Sequence, residues 1–554
     1  MKKKDISAFI LLGLAAIFSG SCTKVLEEEP KNSTYVGQFW QSSDDINSAV
    51  AGNYALLRDA ITSGNWKNVP RYFVYGDGVP ANYFTIQYDG DGLEAVQTGD
   101  FTGQYNIESY GDWTKYYKVI AMSNLILERV TNMDVSKFTK VDDPVSFKNK
   151  AIGQAYFIRA LSYFFLTRIW GDVPLVTSTD EDPIAANFLG KTPKKEIMMQ
   201  IENDCHQAEK LLSWTYSNSL EAKVTANKGS VYALLAHLYL WRATTSNVAT
   251  SEPIMSDINS ADTTITKLKA MGGYRQVDTA AYYNTFIGTS TEGIFEIAAS
   301  EVYLEGSSTH IASFFLRQAD IRFNSATYSR FFVKPEYLST HFSKEFLGYG
   351  WVWNTQALEW QWIEHPAAVG ETVYIYPNGV EQEVTVTASM LKDSTDIRNR
   401  KNFTDLSIPQ PTCVKYHNVN YRNNNSAYIS NNIIIFRYSD MLLLEAEIAL
   451  YRGDISKATN IINGFRIRNG GQQLVKPNLS KDEVMYQYAL ERGKEMYLEG
   501  HLYYDLIRTR QYPRFITWLS ESRFKQEGFY WPIAPALFKN NPNLGQTSYW
   551  VGKI

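Results

Sequence analysis

Apolar residues recur at helical spacing through three long stretches in the first half of the chain. In AIGQAYFIRALSYFFLTRIWGDVPLV, Ala151, Ala155, Ile158 and Phe165 share one side, and the pattern predicts a helix that stops at Gly171 and Pro174, which continue helices poorly. KEIMMQIENDCHQAEKLL aligns Ile197, Ile201, Ala208 and Leu212. ANKGSVYALLAHLYLWRA places Val231, Leu234, Leu235 and Leu238 at i, i+3, i+4 and i+7. These helices come in pairs, the mark of stacked hairpins. The clearest pair is SDMLLLEAEIALYRGDISKATNIINGFRIRNGG, with Leu442, Ala446, Ala449 and Leu450 on one stripe and Ala458, Ile461, Ile462 and Phe465 on the next. Arg452, Gly453 and Asp454 form its turn: Gly453 suits a left-handed cap and Asp454 an N-cap. Small alanines on facing helices allow the close approach of a tetratricopeptide-like hairpin, although the full repeat consensus is absent. Ser480 and Glu483 make a capping-box pattern that opens a further helix over KDEVMYQYALERGKEMYLEGHLYYDLIR.

Other stretches alternate instead. ETVYIYPNGVEQEVTVTAS sets Val373 and Ile375, then Val384 and Val386, about a Pro377-Asn378-Gly379 turn, and predicts a β-hairpin. GYGWVWNTQALEWQWIEH carries Trp351 and Trp353, then Trp360 and Trp362. If extended, each pair lies on one face, as a platform or as core packing. GGYRQVDTAAYYNTFIGTSTEGIFEIAAS reads as short extended pieces around glycines. The expected fold class is mostly α: a tetratricopeptide-like (α-α superhelix) scaffold with a loop-rich irregular half and short β-hairpins.

Composition adds three constraints. With 554 residues, 44% hydrophobic and 20% charged, the chain can bury a large core. A formal net charge of −4 leaves no basic excess for nucleic acid. Aromatic content is high at 14%, with 37 Tyr and 13 Trp; a core can absorb many of these, and a carbohydrate-binding surface would use some of the others.

The N-terminus predicts export. A basic MKKKD precedes an apolar run from Ile6 to Phe18, shorter than the roughly 20 residues that span a bilayer. The small residues Ser19, Gly20 and Ser21 then lead to Cys22, so 1–21 reads as a signal peptide and Cys22 as a lipidated mature N-terminus in a lipobox-like setting. The other two cysteines, Cys205 and Cys413, make no disulfide framework, although export would permit one bridge.

Four segments in order carry a resemblance: RALSYFFLTRIWGDVPLV, RYSDMLLLEAEIALYRGD, ALERGKEMYLEGHLYYDLIR and YWPIAPALFKNNPNLGQ. Following a lipobox, they resemble the SusD/RagB family of outer-membrane nutrient-binding lipoproteins across nearly the whole chain. The tail carries Ala534 where a second proline is common. The resemblance implies an N-terminal region over 22–275 and a C-terminal one over 276–554, packed as one unit. It implies a lipid-anchored protein on the exterior face of the outer membrane that binds glycans, or peptides in some members, and passes them without chemistry to a SusC-like TonB-dependent transporter. No cofactor is implied. Glu27, Glu28 and Glu29 then read as a surface-export signal, or as a solvated acidic tether.

Sugar rings stack their C–H faces on flat aromatics while their hydroxyls need carboxylates and amides. The first candidate segment, residues 63–92, offers Trp66, Tyr72, Tyr83 and Tyr88 interleaved with Asp77 and Asn82; the resemblance places a family acidic position at Asp77. The second is the Trp351 and Trp353 segment. The resemblance also puts Arg398 near the ligand side, to bond hydroxyls or to hold a loop.

Enzyme signatures are thin. GKT at Gly190–Thr192 has Ala185 where a phosphate loop needs glycine. DGDG at 89–92 fails the EF-hand pattern at Leu93, so no metal site is expected. Glu491, Arg492, Glu495 and Glu499 hold paired carboxylates that a glycoside hydrolase would need, but Glu–Arg pairing along a helix accounts for them.

Overall fold

The computed structural model describes residues 39–554 except 66–68, 87–91, 180–187, 219–220, 300, 302–304, 307–309, 317–328, 345, 355–357, 393, 407–409 and 424–425. Helix α1 (Ser43–Thr62) opens on a capping box between Ser42 and Asp45. It is followed by α2 (Thr114–Thr131), α3 (Pro144–Trp170), α4 (Lys194–Leu211), α5 (Lys228–Thr245) and α6 (Met255–Met271). Beyond the irregular half come α7 (Tyr438–Tyr451), α8 (Ile455–Arg468) and α9 (Lys481–Glu495). Each helix packs on the next in sequence, with α6 meeting α7 across the intervening segment. The result is the expected superhelix of antiparallel hairpins.

Local chemistry sets these boundaries. α3 starts before the apolar pattern does, because Asp143 caps it by accepting from the Ser146 N–H at 3.0 Å and Pro144 stands in the first turn. From Ala151 to Trp170 every residue except Tyr156 is buried, so this helix lies inside the scaffold rather than along its surface. In the α7–α8 hairpin Gly453 takes φ 82°, and the Asp454 carboxylate accepts from the Lys457 N–H at 2.9 Å. Leu443, Ala446, Ala449 and Leu450 then bury against Ala458, Ile462 and Phe465, with Leu442 and Ile461 at the margin.

One predicted element is corrected. The run after Ser480 is not a single helix: α9 ends at Glu495, and a short stretch of turns and bends leads to α10 (Leu502–Arg508). The break holds Leu498 at φ 57° and Gly500 at φ 80°. A Cβ on Gly500 would sit 2.3 Å from the Tyr72 ring, so glycine is required for both its dihedral and its contact.

Strands in the irregular half are short. β1 (Phe84–Ile86) pairs antiparallel with β3 (Phe331–Val333), and β2 (Gly293–Ile297) with β8 (Ile433–Arg437), which runs straight into α7. Between them, β4 (Phe346–Asn354), β5 (Glu359–Ala367), β6 (Thr372–Ile375) and β7 (Gln382–Thr385) form an antiparallel sheet in the order β5-β4-β6-β7. The expected Pro377-Asn378-Gly379 turn joins β6 to β7, with Asn378 and Gly379 at φ 55° and 79°. The principal hydrophobic core runs from Leu57 to Trp550.

Candidate functional site

Most of the first candidate segment is scaffold. Tyr72, Asp77 and Tyr83 lie in or beside two helical turns, Arg71–Phe73 and Val74–Gly78, and are 5%, 1% and 0% exposed. The Tyr72 hydroxyl donates to the Glu499 carbonyl at 2.9 Å, and Asp77 Oδ2 accepts from the Gly500 N–H at 2.6 Å. Both therefore pin the break between α9 and α10, which needs partners for backbone groups released from helical bonding. Burial pushes the Asp77 carboxyl well above the usual carboxylate range, against the pull of the Gly500 N–H and Lys415. Tyr83 packs on Tyr337 and His341 at ring distances of 5.3 and 5.4 Å. These three side chains are corrected from ligand candidates to core residues, because none presents surface to a ligand. Asn82 is half-buried. Trp66, Tyr88 and Cys22 lie outside the described residues, as do Glu27, Glu28 and Glu29.

Arg398 is likewise corrected: it holds the structure and is 0% exposed. Its guanidinium bonds Asp396 in a two-point grip at 3.0 and 2.7 Å, Glu491 at 2.7 Å and Glu495 at 2.8 Å. Glu495 and Glu499 also bind Arg437, Glu491 binds Arg466, and Glu499 binds Lys415. The carboxylates of α9 and of the break after it are thus engaged in ion pairs as expected, but their partners come from distant segments rather than from the same helix. Burial alone would raise the Glu495 pKa; Arg437 and Arg398 outweigh it and hold the group at about 2. A nearby grouping, His237, Asp440 and His501, brings metal-ligating atoms within 4.8 Å of one another. Its carboxylate is already shared between His237 Nε2 at 2.7 Å and the Arg492 guanidinium at 2.5 Å, so a cation neutralises it in place.

The second candidate segment forms an exposed aromatic surface. In the β4–β5 register Trp351 faces Trp362 and Trp353 faces Trp360, which puts all four on one side of the sheet. Their rings meet edge to face at 5.5 and 5.6 Å. Trp351 is 63% exposed and Trp360 60%, while Trp353 and Trp362 are half-buried by these mutual contacts. Tyr349 pairs with Tyr374 on β6 and so joins the same side; Trp362 touches Tyr374 at 5.2 Å, and Tyr349 touches Tyr376 at 5.1 Å. Strand alternation explains the division of bulk. The reverse side carries Gly348, Gly350 and the small apolar cluster of Ala367, Val373 and Val386. A Cβ at Gly348 would meet Val373 at 2.3 Å and one at Gly350 would meet His365 at 2.5 Å, so these two positions of the reverse side are crowded against larger side chains.

Acceptors flank the rings. The register lines up Glu364, Tyr349, Tyr374 and Glu383 in one row across the sheet. The Tyr374 hydroxyl donates to Glu383 at 3.2 Å and the Tyr376 hydroxyl to Glu381 at 2.6 Å. The negative charge of Glu383 raises the Tyr374 pKa, so that hydroxyl stays a donor at neutral pH. Tyr349, Tyr374 and Tyr376 are not among the sequence-derived candidates. Their signal was the alternation of Tyr374 and Tyr376 with Val373 and Ile375 in the predicted hairpin.

Stacked helical hairpins with an aromatic surface carried on an inserted sheet define a scaffold for binding. Comparison with known proteins gives this class a family. A family profile described as "Starch-binding associating with outer membrane" matches residues 81–240, and one described as "SusD family" matches residues 305–550. The chain is 25% identical over 568 residues to SusD-like protein P38 of Formosa agariphila, covering 99% of each. It is 25% identical over 528 residues to SusD-like protein P2 of the same organism, covering 92% of this chain and 91% of that one. The fold is similar to that of a SusD homolog from Bacteroides thetaiotaomicron, with a TM-score of 0.71 at 22% identity over 92% of this chain and 99% of that one. It is also similar to B. fragilis NanU, with a TM-score of 0.63 at 21% identity over 94% and 99%. The chain belongs to the SusD/RagB family. Proteins of this family are binding proteins of nutrient uptake associated with the outer membrane. No helix among the described residues is long and apolar enough to cross a membrane.

Proposed function

We propose that this chain is a cell-surface lipoprotein that binds a glycan on the aromatic face of the four-stranded sheet and delivers it to a SusC-like TonB-dependent transporter, without catalysing a reaction. The observation that carries the reading is the set of seven aromatic side chains, Tyr349, Trp351, Trp353, Trp360, Trp362, Tyr374 and Tyr376, held on one open side of a sheet. A soluble monomer rarely exposes so much contiguous apolar surface without a partner for it. Indole faces match the C–H faces of sugars, and Glu364 and Glu383 supply acceptors for hydroxyls at the edge. Trp66, Tyr88 and Asn82 remain proposed contributors from the first candidate segment.

Affinity electrophoresis of the mature, unlipidated protein against a panel of polysaccharides tests the reading. Retardation by a glycan that is lost in Trp351→Ala and in Trp360→Ala supports it, and both positions are exposed enough to leave folding intact. Retardation unchanged in both variants moves the site elsewhere. Attachment through Cys22 is tested separately: Cys22→Ser is expected to move the protein from the membrane fraction to the soluble fraction, and retention in the membrane would refute the anchor. Delivery is supported by the family alone, and co-purification of the tagged full chain with a β-barrel partner checks it.

A further inference from the structure

The charge around the aromatic face is one-sided. Residues 346–391, which include all four strands, carry Glu359, Glu364, Glu371, Glu381 and Glu383 but no lysine or arginine. At the chain's average of 54 basic residues in 554, about four would fall in a stretch of this length. Three of the glutamates have defined places on the aromatic side. Glu364 stands opposite Tyr349, and Glu383 stands opposite Tyr374 and accepts its hydroxyl. Glu381 accepts the hydroxyl of Tyr376. All three are exposed, so none is neutralised by burial among cations as the α9 carboxylates are. A second group, His365, is half-buried on the reverse side with Glu371 4.0 Å away, so it faces away from the aromatic rings.

We infer that the ligand of this face is a glycan whose sugars carry neither sulfate nor carboxylate groups. The inference rests on the aromatic face being the binding surface, and it narrows the ligand to a chemical class. A sugar lying on Trp351 and Tyr349 brings its substituents to the row ended by Glu364 and Glu383. There, hydroxyls donate to the carboxylates. An anionic substituent meets like charge and finds no guanidinium or ammonium within the sheet to pair with. Recognition of sulfate or carboxylate ordinarily calls on arginine, which offers a planar fork of donors, and the sheet contains none. The rows Trp353/Trp360, Trp351/Trp362 and Tyr349/Tyr374 cover about 14 Å at a strand rise near 3.4 Å per residue, enough for several consecutive sugar rings, so repulsion would repeat along a polyanion.

The test uses matched pairs of polysaccharides that share a backbone: dextran and dextran sulfate, laminarin and sulfated laminarin, hydroxyethyl cellulose and carboxymethyl cellulose, agarose and carrageenan. Affinity electrophoresis of the mature protein is expected to show retardation confined to a neutral member, with at least tenfold weaker binding to its anionic partner. The deficit should shrink in 0.5 M NaCl, where charges are screened within a few ångströms. The double variant Glu364→Lys, Glu383→Lys is expected to bind the anionic partner at least tenfold better than the parent does. Equal or tighter binding of an anionic member by the parent protein, or a preference unmoved by both salt and the double variant, overturns the inference while leaving glycan binding intact. Absence of retardation by every member of every pair overturns the glycan reading itself, and this inference with it.

Discussion

Arg437→Met tests whether the buried charge network, rather than helix packing alone, closes the scaffold on its irregular half. Arg437 ends β8 just before α7, and its side chain is 2% exposed. It grips Glu499 at two points, 2.7 and 2.9 Å, and reaches Glu292 at 2.7 Å and Glu495 at 2.9 Å. Methionine keeps most of the stem volume and removes the cation. Glu495 keeps Arg398 at 2.8 Å and Glu499 keeps Lys415 at 2.5 Å, but Glu292 is left with Arg468 at 3.9 Å. Breaking one buried pair costs about 3–5 kcal/mol, and since two of the three carboxylates retain a partner we take about 4 kcal/mol for the whole substitution. An unfolding entropy near 2.1 cal/mol/K per residue over about 500 residues converts this to a fall in Tm of about 4 °C. The loss must also depend on pH. Glu495 is held at about 2, below its unfolded value, so its stabilisation is present above the unfolded pKa and is lost as pH falls toward 2. Without Arg437 that depression is smaller, and the gap between parent and variant should narrow between pH 7 and pH 4. Differential scanning calorimetry at both pH values reads the gap, and adding Glu292→Gln to the variant should restore part of the loss. A Tm change below about 1 °C at pH 7, or a gap that does not depend on pH, would refute the reasoning.

Two further outcomes concern the core. Burial pushes the His310 imidazole down to about 3, and its Nδ1 accepts from the Ala312 N–H, so it is neutral in the fold. Below pH 6.5 the unfolded chain takes a proton that the folded one refuses, and stability falls with pH; His310→Asn, whose amide oxygen can replace Nδ1, should reduce that slope by about 1.4 kcal/mol per pH unit between pH 6 and 4. An unchanged slope in urea titrations would place the proton elsewhere. Gly500→Ala forces a Cβ to φ 80° and to 2.3 Å from the Tyr72 ring. Left-handed strain of about 1–2 kcal/mol and overpacking of about 1–3 kcal/mol add, so chemical denaturation should show a loss of about 2–5 kcal/mol, whereas a loss below 1 kcal/mol would mean that the break between α9 and α10 can move.

The sequence by itself determined the scaffold. The apolar stripes, the Gly453-Asp454 turn and the Ser480–Glu483 box are local, and local signals of this kind survive into the fold because the hairpins pack on their neighbours in sequence. It also placed the paired tryptophans, since a period of two can be read without knowing what the strand faces. Only the tertiary structure decided which aromatics are surface. Tyr72 and Tyr83 look as available in the sequence as Trp351 does, yet they close over a helix break more than 400 residues later in the chain. Arg398 could hold hydroxyls or a loop until the carboxylates of α9, distant in sequence, consumed its donors. The sheet was the reverse case: Val373 and His365 pack against the glycines on its back, while Trp351 and Trp360 on its front stay exposed. Burial depends on contacts between remote segments, and a pattern along the chain records a residue's face but not what that face meets.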